Sequence, residues 1–98
     1  MGAKLLGQAI ERLDTAGAAM RCADVVRLLE NLGFTVRDGR LGGHKVVVHP
    51  HIANFTSASF NCDHGRNPEI KRPYIRNLLK LLRQYEVELT RYLEKNDV

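Results

Sequence analysis

The sequence of 98 residues contains no tryptophan and only three phenylalanines and three tyrosines. With so few aromatic side chains, the hydrophobic core must be mostly aliphatic. No apolar run approaches the roughly 20 residues needed to span a bilayer, which excludes a membrane-spanning protein. The N-terminal stretch MGAKLLGQAIERLD is interrupted by Gln8, Glu11 and Arg12, so we do not expect it to be a signal peptide. A cytoplasmic protein with no membrane partner is therefore expected.

Cysteine is also scarce, with only Cys22 and Cys62. One disulfide is arithmetically possible, but in a chain that is not secreted we expect reduced, buried thiols. The pairs His49-x-His51 and Cys62-x-His64 contain four side chains of the kind that zinc accepts. Their spacing is unlike that of typical zinc sites, so the sequence predicts neither a metal nor any other cofactor.

Acidic residues are nearly absent from one segment. Between His64 and Gln84 there are six basic residues and a single acidic one, Glu69, although the net charge of the whole chain is only +4. Positive charge gathered in one segment is typical of proteins whose partner is a polyanion such as RNA. The simpler alternative is a helix face exposed to water.

Hydrophobic periodicity predicts the element order α, α, β, β, β, α. The second helix should end at a Gly33 C-cap, and the last should begin at Pro73. The predicted helices cover residues 3–16, 22–32 and 73–96, and the predicted strands cover residues 34–37, 45–49 and 55–62.

These elements predict an α+β fold. Helices flank a three-stranded meander in a two-layer domain, and the first helix is an addition to it. We therefore divide the chain into an N-terminal helical extension, residues 1–19, and a domain that covers residues 20–98.

The motifs within this pattern follow a recognisable order. A helix ending in LLENLGF is followed by a strand, a Gly-x-His step, and a second strand that ends in His-Pro. A third strand, a basic loop and the helical pattern IKRPYIRNLLKLL come next. This order and spacing resemble HicA-type toxins, the toxin half of a bacterial toxin–antitoxin pair, over about residues 21–90.

The resemblance implies a fold like that of double-stranded-RNA-binding domains, α-β-β-β-α, and an endoribonuclease that cleaves messenger RNA. It also implies a HicB-like antitoxin that neutralises the enzyme. The histidine of the family's Gly-Ser-His motif is catalytic, which assigns that role to His44. The chain departs from the family pattern at two positions: Gly43 stands where serine is usual, and Lys45 where a second histidine is common.

His44 suits this chemistry for reasons that do not depend on the resemblance. RNA cleavage needs a base that removes the proton of a ribose 2′-hydroxyl, and histidine titrates near neutral pH. Gly42 and Gly43 carry no side chains, so a phosphate can approach closely. Strand alternation puts His49 on the opposite face from His44. A strand-start histidine bonded to backbone is the alternative interpretation of His44.

Cations near the last helix are expected to bind the RNA backbone, and a helix N-terminus itself favours phosphate. The predicted reaction needs no metal ion. The predicted RNA-binding residues are Gly43, Lys45, His64, Lys71, Arg72, Arg76 and Lys80.

Two other classes of function stay open from the sequence. A non-catalytic RNA-binding module on the same fold would need only the basic helix, and Gly43 argues for it. An interaction or metal-binding protein without a role in RNA binding is the other. The apolar stripe of the N-terminal helix, with Leu6, Ile10 and Leu13, either joins two copies as a homodimer or packs within its own domain.

Overall fold

A computed structural model describes residues 2–40 and 42–96 of the chain. None of the helices in this described part combines the length and hydrophobicity needed to cross a membrane. The elements are α1 (Gly2–Asp14), β1 (Ala19–Arg21), α2 (Cys22–Asn31), β2 (Thr35–Asp38), β3 (His44–Val48), β4 (Ala58–Asn61), β5 (Glu69–Lys71), α3 (Arg72–Gln84) and α4 (Glu86–Lys95).

The predicted fold class is confirmed. Strands β2, β3 and β4 form an antiparallel meander in that order. Apart from the short β5, which lies between β4 and α3, the elements from α2 to α3 have the α-β-β-β-α order of a double-stranded-RNA-binding domain. One face of the meander is buried, because Val47 and Phe60 point into the core. Gly33 follows α2 with a φ of 92°, which is the left-handed conformation expected of a glycine C-cap.

A second, two-stranded sheet was not predicted. Strands β1 and β5 pair antiparallel, with Met20 opposite Ile70, and both of these side chains are buried. Both segments lie outside the predicted helices and strands, one between the first two helices and the other in the basic loop before the last helix. Strands of three residues are too short for a period of two to be visible, so only the tertiary pairing defines them.

The last predicted helix is divided in the structure. Helix α3 ends at Gln84 and α4 begins at Glu86, with Tyr85 between them at φ −104° and ψ 21°. Neither proline nor glycine marks the break. Tyr85 packs edge-to-face on Phe55, with ring centroids 5.2 Å apart, and its backbone N–H still donates to the Leu81 carbonyl. Tertiary packing therefore breaks a helix that the sequence pattern continues.

Helix α1 packs within its own chain. Leu6, Ala9 and Leu13 are buried in the common core, and the neighbours of α1 are α3 and α4. The partly buried Ile10 packs against the same core. The expectation of packing within the chain is confirmed, and this apolar stripe is not available for the alternative, a homodimer.

The expectation of reduced thiols is wrong in the structure, where Cys22 and Cys62 form a disulfide. Cys22 opens α2 and Cys62 follows β4, and the fold brings their Cα atoms to 5.8 Å, a separation typical of disulfides. The expectation rested on cellular compartment, which does not report that the two residues are adjacent in space. The two cysteines are 40 residues apart in sequence. Closing a loop of that length restricts the unfolded chain and stabilises the folded protein by about 4 kcal/mol in the chain-entropy model.

His49 is a buried polar residue, 4% exposed, at the end of β3. Its Nε2–H donates to the Leu32 carbonyl at 3.1 Å, and its Nδ1 accepts from the His51 backbone N–H at 3.2 Å. The ring also contacts Phe34 and Tyr92 edge-to-face. With one nitrogen donating and the other accepting, the ring is held in its neutral form.

Acidification should therefore destabilise the protein through His49. Burial, followed by a smaller effect of the His51 charge, lowers the pKa of His49 below 6.5 despite the hydrogen bond to Leu32, which raises it. As the pH falls below 6.5, the unfolded chain binds a proton at this position before the folded protein does. The free energy of unfolding should decrease over that range, as measured by urea denaturation at a series of pH values.

The control is the exposed His64. His49→Gln, which cannot be protonated, should flatten the dependence of unfolding free energy on pH near 6.5. His64→Gln should leave the dependence in place. An equal slope in wild type and His49→Gln would contradict this role of His49.

Candidate active site

His44 opens β3 on the outer face of the meander. Its Cα pairs with that of Asn61 across β3 and β4. Directly opposite residues of antiparallel strands project to the same face, so the two side chains meet outside the core. The next pair along, Lys45 and Phe60, belongs to the inner face.

A chain of hydrogen bonds fixes the His44 ring. Nδ1 of His44 lies 2.9 Å from Oδ1 of Asn61, and Nδ2 of Asn61 donates to the Tyr74 hydroxyl oxygen at 2.8 Å. An amide oxygen only accepts hydrogen bonds, so Nδ1 carries the proton. The lone pair of a neutral ring is then on Nε2. Tyr74 lies in the first turn of α3, so this helix supports the site as well.

The site is an open cleft of about 620 Å³. Its walls come from three segments of the chain: the loop before β3, β3 itself, and the chain at and after the end of β4. The lining residues are Gly42, His44, Asn61, Cys62, Asp63 and His64. His44 is half-buried, while Asn61 and His64 are exposed. A molecule as large as a nucleotide can therefore reach His44 from solvent.

Two glycines before His44 occupy positions where a Cβ would overlap other atoms. Gly43 has a φ of 82°, and a Cβ there would overlap the Cys62 carbonyl oxygen. The same two residues are joined by a hydrogen bond of 2.7 Å from the Cys62 N–H to the Gly43 carbonyl. A Cβ on Gly39 would overlap the His44 ring. Gly43, which stands where the family usually has serine, is therefore required by this backbone conformation.

The predicted Lys45 lies away from His44. It is on the inner-face side of β3, and its ammonium group forms an ion pair with Asp38 across the β2–β3 hairpin. Strand alternation explains the separation, because neighbouring residues of a strand face opposite ways.

Lys71 and Arg72 are at the start of α3 and have protein partners. The Lys71 ammonium lies 3.2 Å from the Asp63 carboxylate and 3.7 Å from that of Glu69. The hydrogen bond and charge of Asp63 are the main causes that raise the pKa of Lys71. Arg72 donates to the Gly17 carbonyl at 2.6 Å and so ties α3 to the turn before β1.

Arg76 and Lys80 follow one helical turn apart on α3, and both are exposed. Neither forms an ion pair within residues 2–40 and 42–96. Of the four predicted cations on β5 and α3, these two are the ones whose charges are open to an outside partner. Lys71 lies beside the cleft, because it is ion-paired with Asp63, which lines the cleft.

The ligands considered for zinc do not form a site. Cys62 is in the disulfide, and both ring nitrogens of His49 have hydrogen-bond partners. His51 stacks on Tyr92 with ring centroids 5.3 Å apart, near α4, whereas His64 lines the cleft around His44.

Sequence reasoning missed Asn61 and Tyr74. Alternation along the third strand groups Asn61 with Ser57 and Ser59 on one face, but it does not say which residue Asn61 meets. Pairing of β3 with β4 sets that partner. The role of Tyr74 in holding Asn61 depends on where α3 begins relative to the sheet.

The fold and the site together define a protein with the element order of a double-stranded-RNA-binding domain and an accessible histidine. The sequence model of one family, described as "HicA toxin of bacterial toxin-antitoxin", matches residues 22–84, more than half of the chain. No curated protein and no solved structure matches this chain. The chain belongs to the HicA toxin family. Membership makes it a ribonuclease toxin that acts on messenger RNA within a toxin–antitoxin system.

Restoring the family serine should destabilise this protein. In Gly43→Ser the left-handed backbone alone costs about 1–2 kcal/mol, and the new Cβ must also displace the Cys62 carbonyl. We expect the free energy of unfolding in urea to fall by at least that amount. Gly42→Ser is the matched control, because a Cβ there meets only the His64 ring at 3.5 Å. It should change stability by less than about 0.5 kcal/mol, as most surface substitutions do. Equal stability of the two variants would contradict the steric argument.

Proposed function

We propose that this toxin is a metal-independent endoribonuclease in which His44 is the general base. The observation that carries the proposal is the hydrogen bond from His44 Nδ1 to Asn61, which leaves the lone pair on Nε2, in an open cleft. A base with this orientation is able to take the proton of a ribose 2′-hydroxyl. The resulting alkoxide attacks the adjacent phosphorus. A positioned base contributes roughly 10²–10⁴-fold to such a rate.

Asn61 and Tyr74 are positioning residues in this proposal. Asn61 selects the His44 tautomer and fixes the rotation of the ring, and Tyr74 in turn holds the amide of Asn61. Gly39 leaves the space that the ring occupies. Holding a base in a single orientation lowers the entropy cost of reaching the transition state.

The cations of β5 and α3 bind phosphates of the RNA. Lys71 lies beside the cleft through Asp63 and stabilises negative charge near the reacting phosphate. The exposed Arg76 and Lys80 bind phosphates further along the strand, whereas Arg72 has mainly a structural role through Gly17. Gly43 and His64 border the RNA in the cleft. The predicted contact from Lys45 is given up in this proposal, because its ion pair with Asp38 points away from the cleft.

A HicB-like antitoxin neutralises the enzyme by covering this same surface. A ribonuclease that acts on messenger RNA in the cytoplasm harms its own cell unless its site is blocked. The cleft and the cations of α3 are adjacent, so one acidic surface of a partner is able to occlude His44 and compete for the phosphate sites. Complementary charge should make this association fast and sensitive to salt.

Replacement of His44 by alanine tests the base. His44→Ala should lower RNA cleavage by roughly 10²–10⁴-fold while leaving the fold and most of the RNA affinity unchanged. Asn61→Leu should lower the turnover rate by about 10²-fold, since the ring loses its orientation but not its chemistry. The measurement is single-turnover cleavage of a defined messenger-RNA transcript, with affinity measured separately. His51→Ala, an exposed histidine outside the cleft, is the matched control and should cleave normally.

Undiminished cleavage by a folded His44→Ala protein would remove the catalytic assignment. A wild-type protein that binds RNA tightly but does not cleave it would favour the non-catalytic RNA-binding module instead.

The phosphate contacts are tested by a double change, Arg76→Ala with Lys80→Ala. On single-stranded RNA, each lost contact should reduce the slope of log affinity against log salt by about 0.7. The same double change should slow association with the antitoxin. The control is Arg91→Ala with Lys95→Ala, which removes two exposed charges from α4 instead. If both double variants had the wild-type slope, the RNA would have to bind elsewhere.

A further inference from the structure

The base is only half of the chemistry that RNA cleavage requires. When the 2′-oxygen forms its bond to phosphorus, the bond from phosphorus to the 5′-oxygen breaks and the electron pair leaves on that oxygen. An alkoxide is a poor leaving group, so a proton donor on the leaving side accelerates the step. The donor must be separate from the group that has just accepted a proton. If His44 is the base, a second group in the cleft is needed as the proton donor.

We propose that His64 is the general acid of the reaction, which rests on His44 being the base. His64 lines the same cleft as His44, and the two rings come from different segments, the chain after β4 and the start of β3. The His64 ring lies beside the glycine pair before β3, because a Cβ added to Gly42 would be 3.5 Å from its Cε1 and one added to Gly43 would be 3.7 Å from it.

The backbone is anchored at the two residues that precede His64. Cys62 donates to the Gly43 carbonyl at 2.7 Å, and its side chain is joined to Cys22. Asp63 donates its N–H to the Glu69 carbonyl at 2.9 Å. The imidazole is exposed at the rim of the cleft, and it forms no hydrogen bond with any described residue. Its nitrogens are open to a substrate.

Other acidic groups around the cleft are less suited to this role. The Asp63 carboxylate is ion-paired with Lys71. Asp63 also raises the pKa of Lys71, so that this ammonium holds its proton more tightly than usual. A histidine exchanges its proton near neutral pH, and its protonated form donates from either nitrogen.

With His44 as the base and His64 as the acid, every proton and bond of the cleavage step is accounted for. Nε2 of His44 takes the proton of the 2′-hydroxyl as the bond from the 2′-oxygen to phosphorus forms. The bond from phosphorus to the 5′-oxygen breaks, and a ring N–H of His64 gives its proton to that oxygen. The products are a 2′,3′-cyclic phosphate and a 5′-hydroxyl. Lys71 neutralises charge on the phosphorane and gives up no proton.

Changing the leaving group of the RNA distinguishes a residue that donates a proton from a residue that only binds the RNA. The cleavage position is first mapped on a defined messenger-RNA transcript. Two oligonucleotides spanning that position are then made, one natural and one with sulfur in place of the 5′-bridging oxygen. A thiol is far more acidic than an alcohol, so the thiolate leaves without a proton from the enzyme. Single-turnover cleavage of both is measured for the wild type, His64→Ala and His44→Ala.

On the natural linkage, His64→Ala should be slower than the wild type by about 10²–10⁴-fold, and on the sulfur linkage it should recover to within about 10-fold. His44→Ala should be slow on both linkages, because the 2′-hydroxyl must lose its proton in either case. His51→Ala, the exposed histidine outside the cleft, should match the wild type on both. The RNA affinity of His64→Ala should be nearly that of the wild type.

Equal losses on the two linkages would make His64 a binding or structural residue and overturn the proposal. Unchanged cleavage of the natural linkage by His64→Ala would overturn it too. Either result leaves the role of His44 standing. A wild type that cleaves no RNA, or a His44→Ala protein that cleaves normally on both linkages, would instead overturn the proposed function on which this inference rests.

Discussion

The pairing of β3 with β4 is the constraint on which the site depends. It places His44 opposite Asn61, and the hydrogen bond from the Cys62 N–H to the Gly43 carbonyl continues the pairing beyond the strand. A slip of one residue would move His44 to the inner face and bring Lys45 outward. The register is secured from the other face, where Val47 and Phe60 are buried in the core. Burial of aliphatic and aromatic side chains on one side therefore fixes polar geometry on the other.

The surrounding elements hold this pair of strands in place. The disulfide joins the end of β4 to the start of α2, and the small sheet of β1 and β5 joins the segments that precede α2 and α3. Tyr74 then connects α3 to the site through Asn61. Helix α1 covers α3 and α4 with its buried stripe, although it lies outside the residues that the family model matches. It completes the core without contributing to the cleft.

The histidines illustrate how environment divides one residue type among different tasks. His49 is buried between Phe34 and Tyr92, and both nitrogens are used by the protein, so it is structural. His44 has one nitrogen used by the protein and the other left over, which is the condition for a positioned base. His64 is supported through its neighbours' backbone and keeps its ring open to the cleft. The three histidines therefore differ in how many ring nitrogens have a partner among the described residues: both in His49, one in His44 and none in His64.

The sequence alone determined the order of α2, the three meander strands and α3, the glycine cap of α2, and the placement of His44 and His49 on opposite faces, because these depend on local periodicity and on the backbone needs of single residues. The HicA resemblance was likewise carried by the order of short motifs along the chain. Only the tertiary structure decided the break at Tyr85, the β1–β5 pairing, the disulfide and the Asn61–Tyr74 support of His44. Each of these joins residues far apart in sequence, or responds to packing from another element. Local patterns do not contain that information, since it arises from which surfaces meet once the core has formed.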